Sequence, residues 1–325
     1  MSLYFALVAS FLLVLIGTTY LISYLLEKNI LDVPNNRSNH HIATPRGGGI
    51  LIIISILLGS SVAGIINMEL IILLFGALFL SIVGFVDDRF DLPIYLRLSA
   101  QVFVSLAVIS NIPVDILIFK NYLPSYIEKS LMILALIYFM NCFNFMDGID
   151  GIASSESIHI ALSIFILSFF VVMKSELKHL CLIIIVANLA FLRWNWHKAK
   201  IFMGDSGSVS LGFILGWLLI KLALAGGVLA SLIIPLYFLS DSLITMGKRL
   251  FNGEKIWQAH SKHFYQIAVR NGMSHDLVVK YIWVANIFLT IVAIISIYYS
   301  LLSIILAAFT IYMIISHLKK SGLAK

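Results

Sequence analysis

Apolar runs of about 17 to 24 residues recur along the whole chain, each long enough to cross a roughly 30 Å hydrocarbon layer as a helix. Of 325 residues, 61% are hydrophobic and only 12% charged, and the mean hydropathy is +1.02. A soluble domain carries about a quarter charged residues. A chain this long could bury a core in water but could not clothe it with so few charges, so lipid is the solvent for most of its length. No run alternates with period two over roughly ten residues, which disfavours a membrane β-barrel. The predicted class is an all-α, polytopic integral membrane protein embedded in a lipid bilayer.

Eleven candidate spans follow, at about 3–26, 48–66, 70–86, 95–118, 130–146, 152–173, 180–192, 209–224, 228–246, 277–297 and 300–316. No basic residues precede the first run and no small-x-small cleavage site follows it, so it reads as a retained span and not a removed leader. Neither an internal repeat nor a soluble appendage interrupts the pattern, and residues 1–325 are expected to form one membrane domain. Cys142 and Cys181 both fall in apolar runs and read as buried structural residues.

The loops between spans form two alternating sets. One holds 17 of the 22 Lys and Arg residues, and the other holds the remaining five, Lys120, Lys129, Lys174, Lys178 and Lys221. Positive charge marks the cytoplasmic face, which predicts the N-terminus outside and the C-terminus inside. The formal net charge of +6 is spread over many loops without a basic block or aromatic-laced stripe, so membrane orientation explains it and nucleic acid is not an expected partner. The outer connections are minimal turns, whereas the inner loops carry nearly all the Gly, Asp, Asn and His residues. Chemistry is therefore expected on the cytoplasmic face.

Six aspartates gather at inner helix ends. Asp87, Asp88 and Asp91 follow the third span, Asp147 and Asp150 lie in Asn144-Phe-Met-Asp147-Gly148-Ile149-Asp150-Gly151, and Asp205 opens the eighth span in Phe202-Met-Gly-Asp205-Ser-Gly-Ser208. An isolated aspartate at a helix end needs only water. Adjacent carboxylates repel, and a hard divalent cation offsets that repulsion; Mg²⁺ takes one or two carboxylates plus substrate phosphates. Ionisable clusters in or near a bilayer are functional by default. The flanking glycines permit sharp turns and close backbone approach, but they match no nucleotide-binding fingerprint. Gly212 and Gly216, inside a span, read as helix packing. His260 and His263 have no further zinc ligands at set spacing, and a phosphate-contacting or proton-handling role suits them beside Lys248, Arg249 and Lys262. Asp241, inside the ninth span, stays open between helix packing and catalysis.

Together these segments resemble the polyprenyl-phosphate N-acetylhexosamine-1-phosphate transferase family, which includes phospho-N-acetylmuramoyl-pentapeptide transferase. The resemblance runs from Pro34-Asn-Asn-Arg37-Ser-Asn-His40-His-Ile-Ala-Thr44-Pro-Arg46-Gly-Gly-Gly49 to Gln266. It implies that Asp87 and Asp88 are the catalytic pair, with Asp205 as the Mg²⁺ ligand (Mn²⁺ being the alternative ion). Asn144, Gly148, Ile149 and Asp150 match the loop that holds uridine. Arg46, Asp147 and Asn195 complete the implied substrate-binding set, Asn195 matching an asparagine beside the metal. His260 and His263 match the outer members of a His-x-His-His motif, in which Lys262 replaces the middle histidine. That departure looks more like the O-antigen-initiating branch, and it leaves the sugar open between N-acetylglucosamine and modified sugars such as N-acetylfucosamine or N-acetylquinovosamine.

The implied reaction moves a sugar-1-phosphate from a UDP-N-acetylhexosamine to undecaprenyl phosphate and releases UMP, in the inner (cytoplasmic) membrane. The resemblance also allows a homodimer. A secondary transporter with mid-membrane acids is the competing class. The acids here gather at one surface, which favours an enzyme acting on a membrane-borne substrate.

Overall fold

The computed structural model describes residues 2–34, 39, 42–119, 122–255 and 260–320. Arg37, Lys120 and Lys325 of the charge pattern, and residues 35–38 and 40–41 of the first inner loop, lie outside the described residues. The chain is helical, with one two-stranded antiparallel ribbon of β1 (Leu31–Asp32) and β2 (Thr44–Pro45). The helices run α1 (Ser2–Glu27), α2 (Gly49–Val62), α3 (Met68–Phe90), α4 (Ile94–Ser110), α5 (Ser125–Phe145), α6 (Ile152–Leu167) and α7 (Ser175–Asn195). They continue as α8 (Asp205–Leu224), α9 (Val228–Ile233), α10 (Leu236–Phe251), α11 (Phe264–Arg270), α12 (His275–Ile295) and α13 (Ser300–Lys320).

Seven of these helices, α1, α3, α5, α7, α8, α12 and α13, are long and apolar enough to cross a membrane. Three further apolar helices, α2, α4 and α6, are shorter, at 14, 17 and 16 residues. The seventh expected span, 180–192, is part of a helix of 21 residues, because Ser175–His179 and Arg193–Asn195 extend its polar ends. The ninth, 228–246, is not one helix. It breaks at Ile234–Pro235 into α9 and α10, since a proline supplies no backbone N–H and its ring crowds the preceding turn. At the break the Ile234 carbonyl accepts a hydrogen bond from His159 Nε2 at 3.1 Å, so the polar group stays satisfied inside the bundle.

α8 is the central element. It packs against α3 and α5 chiefly, and also against α2, α6 and α9, and it is buried almost throughout. Its small residues make this possible. A Cβ on Gly212 would meet the Met140 Cα at 3.0 Å, and one on Gly216 would meet Leu136 and Phe139 at 2.8 and 2.9 Å, so both glycines serve packing against α5 as expected. The other faces of the bundle carry large exposed apolar side chains, among them Phe75, Phe103, Leu134 and Phe309, as lipid-facing surfaces require.

Candidate active site

α3 and α8 meet where the last turn of one reaches the first turn of the other. Asp88 Oδ1 accepts from the Asp205 backbone N–H at 2.9 Å and Asp88 Oδ2 from that of Ser206 at 3.4 Å. Asp88 therefore caps α8 from a different helix, supplying negative charge to N–H groups that have no partner within their own helix. Gly204 makes the approach possible. Its φ of 72° is left-handed, and a side chain there would collide with the Asp88 carboxylate.

Arg46 arrives from the first loop. The Phe202 N–H donates to the Pro45 carbonyl at 2.8 Å, and the Gly48 and Gly49 N–H groups donate to the carbonyls of Phe202 and Met203 at 3.0 and 2.9 Å. This backbone zip fixes Arg46, whose Nε lies 2.7 Å from Asp88 Oδ1 and whose terminal nitrogen lies 2.5 Å from Asp205 Oδ1. Burial works against its charge, but Asp88 and Asp205 outweigh burial and hold the guanidinium protonated.

Arg97, near the start of α4, repeats the arrangement on the other side. It lies 2.8 Å from Asp87 Oδ2 and 3.7 Å from Asp205 Oδ2, while Asp87 Oδ1 accepts from the Leu92 N–H at 2.7 Å. Asp205 thus sits between two guanidiniums. Asn144 completes the cradle by donating to Asp205 Oδ2 at 3.2 Å and accepting from Ser208 Oγ at 2.7 Å. Asp147 is half-buried nearby. Burial first, then Asp205, Asp88 and Asp150 against the opposing pull of Arg46, push it up to about 7. Four carboxylates (Asp87, Asp88, Asp147, Asp205) thus gather round two guanidiniums (Arg46, Arg97), so acidic groups outnumber basic ones. A surplus of carboxylate oxygens fits a hard divalent cation such as Mg²⁺.

The loop after α5 is clamped from every side. Asn39 donates to the Gly148 carbonyl at 3.0 Å, and the Tyr265 hydroxyl donates to the Phe145 carbonyl at 3.0 Å. Gly148 lies directly beneath that hydroxyl, with no room for a side chain. Ile149 is buried. Asn195 takes the Gly151 N–H at 3.1 Å and donates to the Ile201 carbonyl at 2.9 Å, so its bonds tie this loop to the segment leading into Asp205. Asp150 lies 2.7 Å from His197 Nδ1 and 3.1 Å from His275 Nδ1. Burial alone would raise its pKa, but His275, His197 and the Ala199 N–H together hold it below the ordinary carboxylate range. Asp150, His197 and His275 bring one ligand atom each within 4.8 Å of one another. Two imidazoles and one carboxylate suit a borderline transition metal, whereas the carboxylate oxygens gathered around Asp205 suit Mg²⁺.

Asp241 has a structural answer. It is fully buried in α10 and accepts from His263 Nδ1 at 2.9 Å, from the Phe264 N–H at 3.1 and 3.0 Å, from the Tyr265 N–H at 3.4 Å, and from the Tyr237 and Thr245 hydroxyls at 3.2 Å each. It thus caps α11 and fixes the His263 ring through Nδ1. His260 packs beside His263 with ring centroids 4.9 Å apart and planes tilted by 31°. Burial, then His263, Arg249 and Lys262, lower the His260 pKa to about 4, so it is neutral at pH 7. Its Nδ1 accepts from the Lys262 N–H at 3.3 Å, which places the proton on Nε2.

The structure therefore brings Arg46, Asp87, Asp88, Asn144, Asp147 and Asp205 into one cleft, with Gly148, Ile149, Asp150 and Asn195 in its wall. Through Tyr265 and Gln266 the wall continues to the Asp241–His263 pair, because Gln266 accepts from the His263 N–H at 3.2 Å and flanks Gly148. Asp91 takes no part: it is an exposed, left-handed C-cap of α3. Sequence reasoning missed Arg97, His197 and His275. Arg97 follows Asp87 by ten positions across a turn and was counted only as loop charge, and His197 follows Asn195 by two. No spacing rule pointed to His275.

A polytopic helical membrane protein with a half-buried, acid-lined and arginine-bridged cleft at one end of its bundle belongs among membrane enzymes of phosphorylated substrates. More narrowly, the chain belongs to the polyprenyl-phosphate sugar-phosphate transferases. The family described as "Glycosyl transferase family 4" matches residues 70–223. A phospho-N-acetylmuramoyl-pentapeptide-transferase of Bacillus licheniformis is 30% identical over 277 residues, 77% of this chain and 83% of the relative. A probable undecaprenyl-phosphate N-acetylglucosaminyl 1-phosphate transferase of Bacillus subtilis is 28% identical over 300 residues, 89% of this chain and 84% of the relative. A second phospho-N-acetylmuramoyl-pentapeptide-transferase, from Orientia tsutsugamushi, is 29% identical over 316 residues, 82% of this chain and 84% of the relative.

Proposed function

We propose that this chain transfers a sugar-1-phosphate from a UDP-N-acetylhexosamine to undecaprenyl phosphate at the cytoplasmic face of the inner membrane, starting a lipid-linked envelope glycan such as O-antigen. The observation that carries the reading is Asp205 held between Arg46 and Arg97 at the end of a membrane helix. A membrane-borne acceptor and a soluble, charged donor meet at such a boundary. The reading includes eleven crossings, the N-terminus outside and the C-terminus inside, with 1–325 acting as one domain.

In the step itself, an oxygen of the lipid phosphate forms a bond to the β-phosphorus of the donor. The bond from that phosphorus to the bridging oxygen breaks, and UMP departs with the electron pair. A phosphate monoester has a second pKa near ~6, so the nucleophile is mostly ionised at pH 7 and needs no general base. The surroundings of the Asp pair favour an organising role. Both oxygens of Asp88 are engaged by α8 and Arg46, and those of Asp87 by Leu92 and Arg97. Arg46 and Arg97 bind and orient phosphate oxygens, as positioning and charge neutralisation dominate phosphoryl transfer. Mg²⁺ or Mn²⁺, held by Asp205, would supply further neutralisation of the transferring phosphoryl group. The loop 144–151 holds the uridine half, and His260 and His263 serve the diphosphate.

The test is a radiolabel assay with purified protein, undecaprenyl phosphate and a panel of UDP-sugars. Formation of an organic-soluble polyprenyl diphosphate sugar with stoichiometric UMP from at least one donor is expected. A clean failure across UDP-N-acetylglucosamine, UDP-N-acetylfucosamine and UDP-N-acetylquinovosamine, with folded protein, would contradict the reading.

A further inference from the structure

Away from the Asp205 cleft, the ends of α10, α11 and α13 enclose a cavity of about 240 Å³. Its lining contains five cations, Lys248, Arg249, Lys262, Arg270 and Lys319, and one carboxylate, Glu254. Glu254 is already taken by Arg249 at 3.0 Å and Lys262 at 2.5 Å. Lys248 and Lys319 have no carboxylate within ion-pair distance among the described residues. Instead, both ammonium groups gather over the Phe264 ring, 4.8 and 5.9 Å from its centre. A cation–π contact of this kind holds the ammonium over the ring and leaves the charge in place. Two lysines gathered on one ring beside two arginines and a third lysine repel one another, and that arrangement calls for an anion.

The position of the cavity says which anion. Lys248 and Arg249 form the last turn of α10, and His317, Lys319 and Lys320 the last turn of α13, a membrane-spanning helix. Leu243, Leu250 and Phe251 do not line the cavity but turn outward from the same helix, with Phe251 94% exposed. A basic pocket at the end of a helix whose other face is apolar and outward lies at the headgroup level of the bilayer. A water-soluble anion would use the charges but leave that apolar face idle. We propose that this cavity is a binding site for the phosphate of an anionic diacyl phospholipid, with its acyl chains lying along the outer face of α10. Because Thr245 both lines the cavity and donates to Asp241, the bound headgroup would brace the wall that fixes His263.

This inference rests on the membrane-spanning fold and not on the transferase reading, so lipid preference and sugar transfer are separate readouts. The experiment uses the full-length chain in a neutral detergent, titrated in turn with dioleoylphosphatidylglycerol, dioleoylphosphatidylcholine and inorganic phosphate. Native mass spectrometry counts the lipid adducts and thermal unfolding follows stabilisation. Phosphatidylglycerol is expected to bind at least about 10-fold more tightly than phosphatidylcholine. Each lysine near an anionic surface is worth about 1 kcal/mol, roughly 5-fold, so Lys248→Gln with Lys319→Gln should cut phosphatidylglycerol affinity by about 25-fold. Lys174→Gln with Lys178→Gln, equal in charge but at the other end of the bundle, should leave it unchanged. If the double variant at the cavity does not fold, Lys319→Gln alone, at an exposed helix end, should still lose about 5-fold. Equal binding of the two lipids, an unaltered preference in the cavity variants, or full protection by inorganic phosphate with nothing added by phosphatidylglycerol would each overturn the assignment.

Discussion

Arg46 and Asp205 stand 159 positions apart in sequence and meet at 2.5 Å, where the same guanidinium also holds Asp88 at 2.7 Å. The contact joins the loop after α1, the end of α3 and the start of α8 into one unit. It also offsets the repulsion between two carboxylates whose side chains are both buried.

Arg46→Lys tests whether the fork matters as well as the charge. One ammonium cannot span two carboxylates in the geometry of a planar guanidinium. The expected outcome is a fall of about 10²-fold in kcat for UMP release, the usual scale for losing one preorganised electrostatic partner. Activity within twofold of wild type would show that Arg46 supplies charge alone.

Asp241→Ala should unfold the protein's α10–α11 corner. It leaves His263, two backbone N–H groups and two hydroxyls without their acceptor, and breaking a buried pair in this way costs about 3–5 kcal/mol. Asp241→Asn keeps the shape and one acceptor oxygen. It should fold, at a cost of about 1–3 kcal/mol, and should lower kcat more than it raises KM, because His263 is no longer held in one tautomer. Thermal unfolding in detergent together with steady-state kinetics separates the two variants.

His260 gives a pH dependence with a definite sign. Its folded pKa of about 4 lies below the ordinary value of 6.5, so the unfolded chain binds the proton more readily. Stability attributable to this residue is intact above about pH 6.5 and declines as pH falls towards 4. Unfolding temperatures measured from pH 7.5 to 4.5 should therefore fall less steeply in His260→Gln than in the wild type. Parallel curves would mean that the imidazole is not held neutral in the folded protein.

Much of this organisation was legible in the residues. Apolar run length marked the helices, and the six aspartates with their glycines marked one end of the bundle, because helix ends and tight turns have local signatures. Five of those aspartates fall in or beside the cleft; the sixth, Asp91, does not. What escaped was determined by tertiary contact. Pro235 was visible inside the ninth run, yet run length alone hid the break between α9 and α10. Arg97 looked like any basic loop residue until α4 folded back along α3. His275 meets Asp150 across 125 positions, and no periodicity connects them. Asp241 was noticed but ambiguous, since an intramembrane carboxylate and a helix cap look alike until its five donors are seen.

Orientation is tested by labelling. The charge asymmetry puts Ser175 outside and Ser261 inside. A membrane-impermeant thiol reagent on intact cells should modify Ser175→Cys and spare Ser261→Cys, in a background lacking Cys142 and Cys181. The reverse pattern would place the Asp205 cleft on the wrong side for a nucleotide-sugar donor.

The most direct test of the central claim is kcat for sugar-1-phosphate transfer, measured against Mg²⁺ concentration in wild type and Asp205→Asn. The substitution keeps size and removes the charge that a hard cation and both guanidiniums use. The expected result is Mg²⁺-dependent turnover in the wild type, abolished by chelation, and a loss of about 10²-fold or more in the variant at saturating metal. Wild-type turnover in Asp205→Asn, with folding unchanged, would contradict the account and remove Asp205 from the site.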